Sequence, residues 1–291
     1  MIFSLTKRHM RVFFRNRSAV FFSVLSPMIL FALYFFFLGS MNLADLKEQL
    51  PYVDEEQLQL FLNSWVYAGI VMTVAVTTGL AALGVFVDDR ESGRFVDFAV
   101  SPVPRWKITV SYLLATVAVS ALITTVIYIA AQTYLVVQGA PLPTIETIMQ
   151  IVGRYLLVAF SFAALSSFLV TFIKSNAVFT SVSIVIGAGI GFVAGIYVPL
   201  GVLSASIANS LNALPFAQAA ALLREPFVNK SLESIGEGQP AQVAQNLTDT
   251  YGLDVVVGNH TLETPAIVLL LLTIGMIALV FAVVRISRKL R

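Results

Sequence analysis

The densest run of reactive side chains is Asp88-Asp89-Arg90-Glu91-Ser92-Gly93-Arg94-Phe95-Val96-Asp97-Phe98-Ala99-Val100-Ser101-Pro102-Val103-Pro104-Arg105-Trp106-Lys107. Carboxylates and guanidiniums this close together suit charge-assisted hydrogen bonding to a partner surface. Phe95, Phe98 and Ala99 share one helical face, and Pro102 and Pro104 stop that helix and turn the chain back. A short helix with an apolar face and charged flanks has the anatomy of a docking knob. The same anatomy also serves a hairpin cap that packs on its own bundle.

Elsewhere the sequence lacks the groups that catalysis needs. There are no cysteines, which excludes a disulfide framework, a thiolate metal site and a cysteine nucleophile. The two histidines, His9 and His260, lie near opposite ends of the chain and outside its apolar blocks. The sequence holds no G-x-x-x-x-G-K-[ST] phosphate loop, so a pump built on this chain takes its energy from a partner. A catalytic role for the chain itself is not expected.

The elements that position these residues are set by hydropathy. Of the 291 residues 58% are hydrophobic and 12% charged, against about 25% charged in an ordinary soluble domain. A bilayer core asks for about 20 apolar residues per helix. Six blocks meet that length, near 19–39, 65–87, 108–137, 154–173, 177–199 and 265–284. No carboxylate falls well inside any block, which disfavours a proton-coupled secondary carrier and an intramembrane hydrolase.

Basic residues in short loops favour the cytoplasmic side. Fourteen of the eighteen fall on one side of a six-span arrangement, in the first seventeen residues, the loop after the second block, Lys174 and the C-terminal tail. Both termini are therefore predicted to be cytoplasmic. Residues 1–17 form an amphipathic helix with Lys7, Arg8, Arg11 and Arg15 on one arc, suited to lie at the membrane surface against anionic lipid or to act as a plain positive-inside anchor. Nucleic acid is not expected as a partner of basic tails in a six-span protein.

Within the blocks, Pro27 should kink the first span unless a neighbour compensates. Thr73 and Thr77 lie on a small, weakly polar stripe of the second span, fit for helix packing or for lining a cavity. In the third span, Thr116, Ser120, Thr124, Tyr128 and Gln132 drift around the helix by about 40° per step of four, which reads as a packing ridge more than a pore face. Gly187, Gly191 and Gly195 form a small-xxx-small series in the fifth. Such a series suits a helix of the same chain or of a second copy, with a place near the second copy favoured, and Phe192 stands beside it as a candidate cavity residue. Between 200 and 264 the chain is too interrupted to span, and a helix is expected from about residue 240 to 251. Thr264 is a plausible cap for the last span.

The sequence resembles the permease subunits of ABC-2 type transporters. Glu91-Ser92-Gly93-Arg94 and Ser101-Pro102-Val103-Pro104-Arg105 stand where that family has its Glu-x-Gly-[Thr/Ser] start and Ser-Pro-[Val/Leu]-x-Arg turn, although Arg94 replaces the usual hydroxyl residue. Leu214-Pro215-Phe216 with Ala219, Ala220, Leu223 and Arg224 is similar to a family segment after the fifth span. The resemblance implies one all-α membrane domain over residues 1–291, with six transmembrane helices, an interfacial helix at 1–17, a coupling helix near 90–100 and re-entrant helices near 200–224. It implies a separate ATPase subunit carrying ATP and magnesium, a second permease chain, and Arg90, Glu91, Ser92, Gly93, Arg94, Phe95 and Phe98 as coupling residues. A membrane scaffold or sensor with an external ligand-binding segment is the alternative.

Overall fold

The computed structural model describes residues 1–95, 103–237, 239–258 and 260–289, with the backbone alone at 287–289. Residues 96–102, which include Phe98, Ala99 and Pro102, lie outside the described residues.

The described chain is almost entirely helical. Helix α1 is Ile2–Arg15 and α2 is Arg17–Leu33, which runs through a π-helical turn at Tyr34–Leu38 into α3, Gly39–Gln49. Pro51 separates α3 from α4, Glu55–Ala82, and α5 follows as Gly84–Glu91. Then come α6, Arg105–Val137, α7, Ile145–Val170, and α8, Asn176–Val193. A 3-10 turn at Leu200–Val202 leads to the short α9, Ala205–Asn212, and to α10, Pro215–Gly236. Helix α11, Ala241–Thr250, precedes an antiparallel hairpin of β1, Val255–Val257, and β2, His260–Leu262, which the sequence patterning did not suggest. The chain closes with α12, Thr264–Lys289.

Six helical stretches are long and apolar enough to cross a membrane, and they coincide with the six blocks of the sequence. Helix α4 is the hub. In its most apolar stretch 83% of residues are buried, against 22% in the corresponding stretches of α2 and α8. It packs against α2, α6, α7, α8 and α10.

Pro27 lies inside α2, and the helix continues through it. Its missing N–H leaves the Ser23 carbonyl without a helical donor, and the Thr77 hydroxyl of α4 reaches that oxygen at 3.0 Å. The π-helical irregularity lies about two to three turns further on, at Tyr34–Leu38.

The third-span ridge packs rather than lines. Ser120 donates to the Ala75 carbonyl of α4 at 2.6 Å, and Thr116, Ser120 and Thr124 are fully buried. Thr264 does not act as an N-cap. It is the first residue of α12, and its hydroxyl donates to Glu225 Oε2 at 2.9 Å, a carboxylate that also holds Arg154 of α7 at 2.8 Å.

Candidate functional site

The loop after α4 gathers its charges around one buried carboxylate. Asp89 is 0% exposed, on the last turn of α5. Arg8 of α1 grips it with two nitrogens, at 2.6 and 3.1 Å, and Tyr112 of α6 donates its hydroxyl at 2.6 Å. Arg94 adds a third cationic contact at 3.2 Å while its other nitrogens bond Asp88 at 2.6 Å and the Ser92 hydroxyl at 2.8 Å. A buried carboxylate is tolerable when its lone pairs are filled this completely. One aspartate thereby ties together the N-terminal helix, the loop and the start of α6.

Apolar and aromatic contacts seal this knot. The His9 ring stacks on Tyr112 at 3.7 Å and makes a 3.1 Å hydrogen bond with the Ser111 hydroxyl. Burial first, and the adjacent Arg8 charge second, push His9 down to about 4, so it is neutral at physiological pH. Phe95 packs edge-on against Phe86 at 5.3 Å and lies face to face with Tyr112 at 6.3 Å. The Asp89 bond in turn raises Arg8 above its usual range, so that guanidinium stays charged.

Arg90 and Glu91 reach a different element. The Arg90 guanidinium donates to the carbonyls of Thr171 at 3.3 Å and Ile173 at 2.9 Å, the frayed end of α7. Glu91 accepts from the backbone N–H of Asn176 at 3.0 Å, at the start of α8. A cation at a helix C-terminus and an anion at the next N-terminus both complement the helix dipoles. The 171–176 turn is thus clipped to the loop, and Arg285 of α12 lies 3.9 Å over the Phe172 ring at the same end of the bundle. Gly93 turns the chain at φ +78°, where a side chain would be strained.

The structure therefore brings together Arg90, Glu91, Ser92, Gly93, Arg94 and Phe95 with Arg8, while Phe98 lies outside the described residues. Of the other α1 cations on the same arc, Lys7, Arg11 and Arg15 are exposed. Sequence reading passed over Asp89, His9 and Tyr112. The signal for Asp89 was its sign, an acid on the side that holds most of the basic residues.

Of the residues named for helix packing or a cavity, the two threonines of α4 are buried between helices. Thr73 is 0% exposed and bonded to the Gly69 carbonyl at 2.9 Å, and Thr77 joins α4 to α2, so both serve helix packing rather than a cavity wall. Phe192 is 62% exposed on the outside of the bundle, against Tyr197. The glycine series makes contacts within its own chain. Gly187 faces Ser26 of α2, whose hydroxyl donates to the Gly187 carbonyl at 2.5 Å; Gly191 accommodates the Tyr197 ring; Gly195 ends α8 at φ +63° against Leu200.

A comparison with curated proteins found no match. The family described as ABC-2 type transporter matches residues 1–227, which hold five of the six apolar helices, the Asp89 knot and Arg224. With that match over most of its length and its six membrane-length helices, the chain belongs to the ABC-2 type transporter family and is a multi-pass membrane subunit of a transporter.

Proposed function

We propose that the chain is the permease of an ATP-driven exporter, paired with a second permease copy and with separate ATPase subunits that bind ATP and magnesium. Both termini and the 88–107 loop face the cytoplasm of a cell bounded by this plasma membrane. Residues 90–95, together with Phe98, form the surface that the ATPase pushes. Outward movement of an amphipathic or hydrophobic cargo such as a drug, lipid or peptide suits the apolar faces of the spans.

The observation that carries this reading is the sharing of Asp89 by Arg8 and Arg94. A load applied to the loop at Arg94 reaches the interfacial helix through Arg8 and the third span through Tyr112, with no flexible link between. Arg90 and Glu91 carry the same load to the 171–176 turn. An isolated loop helix would transmit far less.

The test is co-expression with candidate ATPase subunits and affinity purification of the permease. A phosphate-loop ATPase that co-purifies, with ATP hydrolysis stimulated by the permease, is the expected result. Glu91→Ala and Gly93→Val should leave the complex assembled but uncouple hydrolysis from transport. Transport by the permease alone in ATP-free vesicles overturns the proposal.

A further inference from the structure

The external end holds a second buried charge that the coupling site does not use. Arg224 of α10 is 0% exposed, and among the described residues no carboxylate lies within ion-pair range of it. Its partners are four backbone carbonyls: Ala194 at 3.1 Å, Gly195 at 2.7 Å, and Tyr251 and Gly252 at 3.4 Å each. These oxygens belong to the ends of two helices. Helix α8 stops at Ala194 with Gly195 at φ +63°, and α11 stops at Tyr251 with Gly252 at φ +60°.

Both ends close in the same way. The N–H of Ile196 returns to the Gly191 carbonyl at 2.7 Å, and that of Leu253 returns to Thr248 at 3.0 Å, the six-to-one bond of a glycine-terminated helix. Each end presents its last carbonyls, and the negative end of its dipole, to the same guanidinium. Trp65 of α4 completes the enclosure. Its ring lies 4.7 Å from the Arg224 guanidinium carbon, and its indole N–H donates to the Tyr251 carbonyl at 2.8 Å. The 3-10 turn is seated directly on α11, since a Cβ on Gly201 would fall 2.4 Å from the Asp249 carbonyl oxygen.

We propose that Arg224 is a latch that joins the outer end of the fifth span to the external segment around α11, so that the two open and move as one body against Trp65 of the hub helix. A planar fork with five donors can hold carbonyls from two directions at once, which an ammonium on a flexible stem cannot do with the same geometry. The external segment beyond residue 227 lies outside the family match, and the latch fastens it to the part that matches. The inference stands independently of ATP coupling and cargo.

The test uses the full chain in nanodiscs and hydrogen exchange read on peptides covering 195–203 and 247–256. In the unaltered protein the two peptides should share one opening constant. Arg224→Gln keeps polar donors but removes the charge and the fork; exchange should rise about tenfold or more in both peptides together, the factor expected from losing one charge-assisted hydrogen bond. Arg224→Lys should recover part of the protection in both.

Trp65→Phe gives a milder perturbation should Arg224→Gln fail to fold. It removes the bond to Tyr251 and weakens the ring contact, yet it should also loosen 195–203, and that distant effect should shrink in the Arg224→Lys background, where the latch is only partly kept. Release of one peptide without the other, or protection unchanged in both, overturns the latch.

Discussion

The Thr77 hydroxyl lies 3.0 Å from the Ser23 carbonyl, the oxygen that Pro27 deprives of its helical donor. The same hydroxyl lies 2.9 Å from the Thr73 carbonyl, but that oxygen already accepts the Thr77 backbone N–H within α4. Its single proton therefore does most good on Ser23. The first span keeps its course through a proline because the hub helix supplies the missing bond.

This relationship predicts a specific non-additivity. Thr77→Val should cost about 1–2 kcal/mol, since it leaves a buried carbonyl unsatisfied. In a Pro27→Ala background the Ala N–H can return to Ser23, and the same valine substitution should then cost less than about 0.5 kcal/mol. Thermal unfolding of the four proteins in one detergent measures the cycle. Equal costs in both backgrounds would show that Thr77 acts through something other than the Ser23 carbonyl.

At the Asp89 knot the two partners of one ion pair should not be equivalent. Arg8 is 33% exposed on its side chain and Asp89 is 0% exposed, so the arginine can return to water and the aspartate cannot. Arg8→Ala strands a buried carboxylate with Arg94 and Tyr112 as its remaining partners, and should destabilise by about 2–4 kcal/mol. Asp89→Asn strands no charge in the interior and should cost at least about 1 kcal/mol less. Arg8→Ala made on top of Asp89→Asn should then be nearly neutral. A larger loss for Asp89→Asn than for Arg8→Ala, measured by denaturation midpoint, would reverse this assignment of the desolvated partner.

His9 gives the knot a pH dependence with a definite sign. Folding lowers it from the ordinary 6.5 to about 4, so between those values the unfolded chain binds the extra proton. The contribution is fully present above pH ~6.5 and is lost as pH falls toward 4. It amounts to about 3.5 kcal/mol at most, at about 1.4 kcal/mol per pH unit. The groups facing the imidazole among the described residues include Arg8, Asp89, Tyr112 and Ser111, and Arg8 keeps its charge across this window. His9→Phe retains a ring for Tyr112 but cannot titrate, and should flatten the melting temperature between pH 4 and 6.5 relative to the unaltered chain. An unchanged slope would place the titrating group elsewhere.

Much of the architecture was legible because membrane spans are written in hydropathy alone. The six blocks and the six membrane-length helices agree because apolar length is the property that both depend on. The expected helix near 240–251 also formed, since Pro240 and Gly252 mark its ends locally. What escaped were relationships across the chain. Nothing near residue 89 in the sequence announces Arg8 or Tyr112, and nothing near Arg224 announces two helix ends at 194 and 251. Small residues were visible, but which of them meets a neighbour depends on where helices cross, and that is fixed by three-dimensional packing.

Gly275 and Gly189 show the last point in testable form. Gly275 belongs to no small-xxx-small series, yet a Cβ built there would lie 3.0 Å from the Cα of Ser161, where α12 crosses α7. Backbone cannot give way as a flexible side chain can, so Gly275→Ala should force the two helices apart and cost about 1–3 kcal/mol. Gly189 sits between Gly187 and Gly191, and a Cβ there meets nothing within 4 Å. Gly189→Ala should be neutral or stabilising by up to about 1 kcal/mol, because alanine gives up less conformational freedom in a helix than glycine does. Melting temperatures of the two variants should therefore move in opposite directions, or Gly275→Ala alone should fall. Were Gly189→Ala the damaging change, that position would be covered by another molecule, and a second copy of the chain would be the first candidate to place there.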